Sequence, residues 1–378
     1  MRLLVADEEI IAGGVETLRG ELLPELARLC ESVIWALPEH VCGQFRERMR
    51  SVPNLAVKSL RPARLHPGRL ARAVLRRIPT RWSQGAVQRM DERQVQARLR
   101  SLVRQHGCTH SLTTCVFTQR FPVLRIPLAG FVCDVNPALP PATLRNILDW
   151  AGRADAIFAI SDFTQAELCR LAPASAPRIQ SVPLAATVAR LAGAAQCEPF
   201  DFYFPAAPNP HKGHATLLAA CALLVERGRD FRLVLSGPGI AGWAGLAEAR
   251  RTLGARLEVR SDVPPAEVEG LFAAARCIVL PTSYEGFGLP LAEALRRGKE
   301  VICTDIAPFR EQLQRYACAD RARLVPVGDA GRLAEALEQH LSAPLPPLPE
   351  AECRQRLARW TWADAARRCH TLLTQLGP

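Results

Sequence analysis

The sequence contains no Cys-x-x-Cys pair, although it has 13 cysteines in 378 residues. The cysteines are scattered, and several of them, such as Cys221, Cys277 and Cys303, lie inside apolar runs, as small buried hydrophobic residues do. An odd number of cysteines without paired spacing argues against a disulfide framework, and it indicates no metal site. We therefore expect a reduced, cytoplasmic protein.

Long apolar runs are also missing. Residues 217–225 form one of the longest, well short of the roughly 18–20 residues that span a bilayer. We expect no secretory signal, because only four apolar residues follow Arg2 before the acidic group at residues 7–9. With 48% hydrophobic and 22% charged residues, the composition is that of a soluble globular protein, and 378 residues favour about two domains.

Acidic and aromatic residues are scarce between residues 45 and 105. This segment holds sixteen lysines and arginines and three acidic residues, whereas the whole chain has a net charge of +11. Trp82 is the only aromatic residue between Phe45 and Phe117, so the aromatic spacing that stacks bases is absent and nucleic-acid binding is disfavoured. An arginine-rich stretch with interspersed apolar residues suits an anionic membrane surface or a phosphorylated acceptor. A solvated helix face is the alternative.

Short apolar runs alternate with helical patterns along the whole chain, which predicts an α/β protein with two doubly wound domains. The predicted strands are 3–6, 32–37, 111–117, 129–132, 155–160, 179–182, 202–204, 232–236, 257–260, 277–280, 301–303 and 324–325. The predicted helices are 15–29, 86–106, 164–171, 215–227, 244–253, 265–275, one beginning near 289, 330–341 and 360–376.

The boundaries follow from changes in composition. We expect a first Rossmann-like domain at 1–182, a hinge at 183–199 and a second Rossmann-like domain at 200–343. A stiff proline-rich linker and a final helix that returns to the first domain would occupy 344–378. Two such domains joined by a hinge predict a central ligand cleft facing the carboxyl ends of both sheets.

The most informative stretch is LPTSYEGFGLPLAE, residues 280–293. A buried strand ends at Pro281, Thr282 and Ser283 are candidate caps, and a helix begins near Leu289. A strand end, a glycine turn and a helix N-terminus in sequence favour an anion, and Gly286 and Gly288 let the backbone approach it. Glu285 lies in the loop, and Glu293 lies about one turn into the helix. The alternative is a structural connection with two solvated glutamates.

Together the motifs resemble a known family, the retaining nucleotide-sugar glycosyltransferases of the GT-B fold, family 4 type. The most specific match is EGFGLPLAE, which is similar to that family's pair of glutamates separated by seven residues. The other similar blocks are GGVE from Gly13, ADAIFAISDFTQAEL from Ala154, PAAPNPHKGHATLLAA from Pro205, SGPG from Ser236, and WTWADAARRCHTLL from Trp360. These six blocks occur in the family's order and cover nearly the whole chain.

The resemblance implies a function for these residues. Loss of a nucleoside diphosphate from a sugar builds negative charge on the β-phosphate, so preorganised cations and N–H groups there assist the reaction. Lys212 is the candidate cation, although a solvated surface lysine is the alternative. Glu285 is expected at the donor-sugar hydroxyls and Glu293 at the ribose hydroxyls. The remaining predicted donor contacts are Gly13, Gly14, Gly237, Val263, Gly286, Phe287, Gly288 and Leu289, and the third catalytic candidate is Asp134.

The resemblance also implies substrates and a location. The partners would be a nucleotide sugar and a saccharide or lipid-linked saccharide acceptor in bacterial surface polysaccharide assembly, with neither metal nor cofactor required. The protein would lie on the inner face of the cytoplasmic membrane, held by residues 45–105. The base would sit near Gly237 and residues 260–263, without an indication of which base it is.

Two positions differ from the family's pattern. Cys133 stands before Asp134 where many relatives have a histidine, and a thiol cannot replace imidazole as a donor to the sugar. Asn209 and His211 lie where an arginine is common, and His211 or His214 is a candidate substitute. A non-catalytic sugar-nucleotide-binding or scaffold protein and an epimerase of the same fold therefore stay open as alternatives. A Rossmann redox site is disfavoured, because no Gly-x-Gly-x-x-Gly is present.

Overall fold

The structure, a computed structural model, describes residues 1–9, 14–60, 81–187 and 197–377, and only the helical backbone of 81–91. The chain divides into two compact units. One comprises Met1–Pro183 with Trp362–Pro378, and the other comprises Leu184–Thr361. Each unit has its own parallel sheet and its own hydrophobic core.

The first unit contains a parallel sheet of seven strands within the described residues, in the order β3-β2-β1-β4-β5-β6-β7. The strands are β1 (Arg2–Ala6), β2 (Ser32–Leu37), β3 (Leu55–Ser59), β4 (His110–Thr113), β5 (Leu128–Val132), β6 (Ala156–Ala159) and β7 (Ile179–Ser181). The helices between them are α1 (Gly14–Leu29), α2 (Glu39–Arg48), α3 (Arg81–His106), α4 (Pro141–Arg153) and α5 (Asp162–Leu171). Strands β2, β4, β5 and β6 are buried on both faces because helices cover both sides of the sheet.

Most of the strands predicted for this unit are confirmed, but three elements were not predicted. Helix α2 ends just inside the basic segment and strand β3 lies within it, and neither they nor α4 were predicted, while residues 61–80 of that segment lie outside the described residues. Among the described residues, strand β3 pairs with β2 at the edge of the sheet, and its half-buried sequence ends in the polar pair Lys58-Ser59, so it lacks the continuous apolar run of a central strand. Strand β4 ends at Thr113 instead of residue 117, and α3 begins five residues before the predicted start.

Within the described residues, the second unit contains a six-stranded parallel sheet in the order β10-β9-β8-β11-β12-β13. Its strands are β8 (Phe200–Pro205), β9 (Leu233–Gly237), β10 (Leu257–Ser261), β11 (Ala275–Leu280), β12 (Glu300–Thr304) and β13 (Ala322–Val325). Its helices are α6 (His214–Glu226), α7 (Leu246–Leu253), α8 (Pro265–Ala274), α9 (Leu289–Arg296), α10 (Ala307–Arg315), α11 (Ala330–Ser342) and α12 (Glu350–Leu357). The predicted elements are confirmed here, and α10 and α12 are additional.

The proline-rich run at 344–349 is fixed to the second unit by backbone contacts. The N–H of Leu348 donates to the carbonyl of Gly298 (3.0 Å), and Arg321 Nη2 donates to the carbonyl of Pro346 (2.7 Å). The second unit therefore continues to Thr361, beyond the boundary at 343 that the prolines suggested. The last helix, α13 (Trp362–Thr374), belongs to the first unit and packs against α1.

Each sheet has a point at which the strand order reverses. In the first sheet this point lies between β1 and β4, and in the second it lies between β8 and β11. Loops that leave the carboxyl ends of such strands diverge, and open α/β sheets bind ligands there. Among the described residues, no helix combines the length and apolar character needed to cross a membrane.

Candidate active site

Lys212 and Glu285 meet beside the reversal point of the second sheet. Lys212 ends a short 3-10 turn (Pro210–Lys212) that follows β8, and Glu285 lies in the loop that follows β11. Lys212 Nζ lies 2.7 Å from Glu285 Oε1, and the two side chains are 21% and 13% exposed. A charged amine and a carboxylate that are 73 positions apart in the sequence thus form one half-buried pair.

The two loops are joined by their backbones. The N–H of Ser283 donates to the carbonyl of His211 (2.8 Å), which also accepts from the Thr282 hydroxyl (2.8 Å). Gly213 has a left-handed backbone (φ 79°), and a Cβ at this position would lie 2.1 Å from the carbonyl oxygen of Pro281. Only glycine allows this approach, so the Lys212 loop is held against the Glu285 loop by the absence of a side chain.

Helix α9 begins directly behind Glu285. Gly288 precedes the helix with a left-handed backbone (φ 91°), and Leu289 and Pro290 are its first residues. Gln312 Nε2 donates to the carbonyl of Phe287, so α10 holds the turn in place. Thr282 and Ser283 do not cap the helix, contrary to the sequence prediction, because their hydroxyls are directed at the carbonyl of His211. The helix N-terminus and its positive dipole end adjoin the Glu285 loop, as predicted.

Glu293 lies one turn into α9 and is held by arginines. Its Oε2 accepts from Arg297 Nη1 (2.8 Å) and Arg296 Nη2 (3.1 Å), while its Oε1 accepts no hydrogen bond from a described residue. Both arginines also contact Glu269 on α8. Sequence spacing gives part of this cluster, because Arg296 and Arg297 follow Glu293 by three and four residues on one helix. Glu269 is distant in sequence, and no local signal identifies it.

The residues predicted to face the base lie at the same edge of this sheet. Gly237 ends β9, and a Cβ there would lie 2.5 Å from the Ala206 carbonyl group, so the backbone segments at Gly237 and Ala206 pack closely. Val263 follows β10 and is half-buried. The side chain of Arg260 is paired with Glu258 and lies 3.3 Å from Glu267.

The two histidines of the Lys212 loop do not behave alike. His214 is only 4% exposed and packs against the rings of Phe204 and Trp243, at centroid distances of 4.5 and 5.3 Å. Burial lowers the pKa of His214 to about 4, so the ring is neutral at pH 7. His214 therefore does not replace a missing arginine as a cation, as the sequence had left open, whereas the Asn209 and His211 backbones form the turn that presents Lys212.

The remaining predicted residues belong to the first unit. Gly14 is the first residue of α1, and Gly13 lies outside the described residues. Asp134 follows β5, and its Oδ1 accepts from the N–H of Asn136 (3.1 Å). A hydrogen bond with Cys115 and burial raise the pKa of the Cys133 thiol, so this group is a neutral thiol at pH 7.

A buried network at the reversal point of the first sheet was not predicted. Asp7, directly after β1, accepts from Trp35 Nε1 (3.0 Å) and from the N–H of Thr114 (3.0 Å), and it pairs with Arg19 Nε at 3.3 Å. Asp7 and Arg19 are fully buried. A sequence signal was present, because an aspartate directly after a buried strand and an arginine within an apolar helix face both require partners. The network joins the carboxyl ends of β1, β2 and β4.

Comparison with known proteins shows which families and structures the chain resembles. The family described as Glycosyl transferases group 1 matches residues 193–359. The sequence is 32% identical over 199 residues to an O-antigen chain mannosyltransferase B of Escherichia coli, covering 48% of each chain. It is 36% identical over 130 residues to a phosphatidyl-myo-inositol mannosyltransferase of Mycolicibacterium smegmatis, covering 34% of this chain and 32% of the other. The protein thus spans about half or less of these curated relatives.

The fold has solved counterparts along its whole length. The structure of Anabaena HepE in complex with UDP superposes with a TM-score of 0.70 and 15% identity, covering 99% of this chain and 100% of the other. A glycosyltransferase from Rickettsia africae superposes with a TM-score of 0.69 and 13% identity, covering 99% and 98%. At these identities the likeness concerns the fold, and it confirms the predicted architecture of two Rossmann-like domains.

Proposed function

Because residues 193–359 match the Glycosyl transferases group 1 family, we propose that this protein transfers a sugar from a nucleoside-diphosphate sugar to a saccharide or lipid-linked saccharide. The observation that carries the proposal is the Lys212–Glu285 pair at the reversal point of the second sheet. A cation, a carboxylate and a helix N-terminus meet there, as a sugar diphosphate requires.

Lys212 is the group that stabilises the leaving diphosphate. Cleavage of the bond between the sugar and the β-phosphate leaves negative charge on the phosphate oxygens and positive charge on the sugar. Lys212 Nζ and the N-terminus of α9 supply fixed positive charge without reorganisation during the reaction. We assign to these groups the charge neutralisation that a divalent cation provides in other transferases, so turnover should persist in EDTA.

Glu285 and Glu293 bind two different parts of the donor. Glu285 holds Lys212 in place in the free protein and offers its carboxylate to the sugar hydroxyls when the donor binds. Glu293 has one oxygen occupied by arginines, and its Oε1 is assigned to the ribose. A donor sugar held on one face with its leaving group beside the acceptor favours transfer with retention of configuration.

The names of the relatives guide the choice of sugar and acceptor. Two of them are mannosyltransferases that act on an O-antigen chain and on a phosphatidylinositol, which favours a hexosyl group, mannose first, and a surface-polysaccharide or lipid-linked acceptor. Anabaena HepE was solved with UDP, which keeps uracil among the bases to be tested. Asp134, Gly13 and Gly14 stay as predicted contributors from the first unit.

The direct test is release of nucleoside diphosphate from a panel of UDP, GDP, ADP and dTDP sugars with membrane or polysaccharide extracts as acceptors. We expect one donor to be consumed in an acceptor-dependent manner, with NMR showing retention at the new linkage. Glu285→Ala should abolish turnover, and Glu335→Gln, an exposed glutamate of α11 paired with Arg332, is the control of equal charge change. Binding without turnover would favour a scaffold, and conversion of the donor sugar without an acceptor would favour an epimerase.

Membrane association is proposed from the basic segment between residues 45 and 105. Flotation with liposomes containing 30% anionic lipid should recover the protein at low salt, and recovery should fall steeply as ionic strength rises, because salt screens surface charges. Neutral liposomes are the control. Binding that is absent or insensitive to salt would refute electrostatic anchoring.

A further inference from the structure

Four charged side chains form a closed group behind the candidate donor site. Arg296 and Arg297, at the end of α9, lie between two carboxylates: Glu293 on the same helix and Glu269 on α8. The side chains of the two arginines are 5% and 6% exposed, Glu269 is 10% exposed, and Glu293 is 22% exposed. Two positive and two negative charges balance inside a largely dry environment, where each charge needs its partner.

Helix α8 supplies the far side of this group. Glu269 Oε2 accepts from Arg296 Nη2 (2.8 Å) and from Arg297 Nη2. Phe272, one turn later on α8, lies under the Arg297 guanidinium at 4.6 Å. A carboxylate and an aromatic face therefore fix the plane of Arg297, whose Nη1 then points at Glu293 Oε2 (2.8 Å).

The arrangement directs both arginines to one carboxylate oxygen of Glu293. Two guanidinium groups next to one carboxylate normally engage both of its oxygens, because the bidentate geometry is the stronger one. Here Glu269 engages part of each guanidinium, and both arginines reach only Oε2 of Glu293. The other oxygen, Oε1, accepts no hydrogen bond from a described residue.

We propose that Glu269, acting through Arg296 and Arg297, is a positioning residue that keeps Glu293 Oε1 available for the ribose hydroxyls of the donor nucleotide. The proposal rests on the proposed function, since it presupposes that a nucleoside diphosphate binds beside α9. Removing the negative charge of Glu269 leaves two arginines facing one carboxylate. They then draw in both oxygens of Glu293, and the ribose loses its acceptor.

Ligands that lack one hydroxyl distinguish this role from a merely structural one. The dissociation constants of the preferred nucleoside diphosphate and of its 2′-deoxy and 3′-deoxy forms are measured by calorimetry for the wild-type protein and for Glu269→Gln. A hydrogen bond to a charged group corresponds to roughly a 10-fold or larger preference for the ribose form over at least one deoxy form in the wild type. We expect Glu269→Gln to reduce this preference to about 2-fold, while deoxy ligands bind both proteins about equally.

In steady-state assays the same variant should raise the donor KM about 10-fold with little change in kcat, because the ribose contact is made equally in the ground state and the transition state. Glu300→Gln removes a fully buried carboxylate of the same unit that lies at the start of β12, outside the donor site. This control should leave the preference for ribose unchanged even if it lowers stability.

The binding measurements have three outcomes that decide whether Glu269 positions Glu293. A reduced ribose preference in Glu269→Gln supports the proposal. Equal loss of affinity for ribose and deoxyribose ligands, or no loss, overturns it. Failure of the wild-type protein to bind any nucleoside diphosphate overturns the proposed function instead. If Glu269→Gln does not fold, as judged by circular dichroism, Arg297→Lys takes its place, because lysine keeps the charge but cannot contact both carboxylates in one plane.

Discussion

Glu300 is a buried carboxylate whose replacement tests the electrostatics of the second unit. It lies at the start of β12, is fully buried, and accepts from His340 Nδ1 (2.8 Å), Arg323 Nε (2.6 Å) and the N–H of Leu345 (2.9 Å). These contacts join three elements: the sheet, helix α11 and the proline-rich run. Glu300→Gln keeps the shape of the side chain and removes its charge.

The pKa of Glu300 determines how much its charge stabilises the folded protein. Burial alone raises it, but the hydrogen bonds from His340, Leu345 and Arg323 outweigh burial and lower the pKa from 4.5 to about 2. The difference between a pKa of 4.5 in the unfolded chain and about 2 in the folded protein corresponds to roughly 3 kcal/mol in the free energy of unfolding. Because the folded-state pKa is depressed, this stabilisation is complete above about pH 4.5 and disappears as the pH falls towards 2.

The assay is urea unfolding followed by tryptophan fluorescence and circular dichroism at several pH values. At pH 7 we expect the free energy of unfolding of Glu300→Gln to be about 3 kcal/mol lower than that of the wild type. The difference should shrink as the pH falls below about 4.5. The exposed Glu335→Gln should change little, since surface ion pairs contribute little. A Glu300→Gln protein as stable as the wild type at pH 7, or a difference independent of pH down to 3, would refute the reasoning.

Two further predictions concern the loops around the candidate sites. Gly213→Ala should lower both the melting temperature and donor turnover, because a Cβ would lie 2.1 Å from the Pro281 carbonyl oxygen. Gly228→Ala is the control, because Gly228 also has a left-handed backbone (φ 68°) but has open space around it. This control should lower the free energy of unfolding by only about 1 kcal/mol and leave turnover unchanged. If Gly213→Ala and Gly228→Ala lowered stability and turnover equally, the close approach of the Lys212 loop to the Glu285 loop would be contradicted. Asp7→Asn should destabilise the first unit by roughly 3–5 kcal/mol in urea unfolding, since it removes the buried carboxylate that pairs with Arg19. A loss below about 1 kcal/mol would show that the charge of Asp7 does not stabilise the network.

The general fold could be predicted from the sequence because it depends on strong local patterns. Buried parallel strands are continuous apolar runs, and strands such as β2 and β11 were recognised for that reason. Elements with mixed polarity, such as the edge strand β3 and helix α2, carry a weak pattern and were not predicted. Strand ends were overextended where buried residues, such as Cys115 and Val116, continue beyond the ladder.

The candidate site was predictable where it depends on a contiguous motif. The stretch at 280–293 carries the strand, the glycine turn, the helix start and both glutamates in one segment. The pairing of Lys212 with Glu285 required the parallel order of β8 and β11, which the sequence suggested only through the family resemblance. Glu269 depends on tertiary packing and has no local signal. Asp7 and Arg19 each carry a local signal that a partner is needed, but only the order of the strands shows that they pair with each other.

The measurement that tests the central claim most directly is the turnover number of Lys212→Met and Glu285→Gln with the preferred donor and its acceptor. Lys212 Nζ and Glu285 Oε1 are 2.7 Å apart at the position assigned to the sugar diphosphate. We predict that Lys212→Met lowers kcat by about 100-fold or more, as expected for loss of a preorganised cation at the leaving group, with an unchanged melting temperature. Glu285→Gln should abolish detectable transfer while nucleoside diphosphate still binds. A folded Lys212→Met protein that retains the wild-type kcat would contradict the assignment of this pair as the donor site.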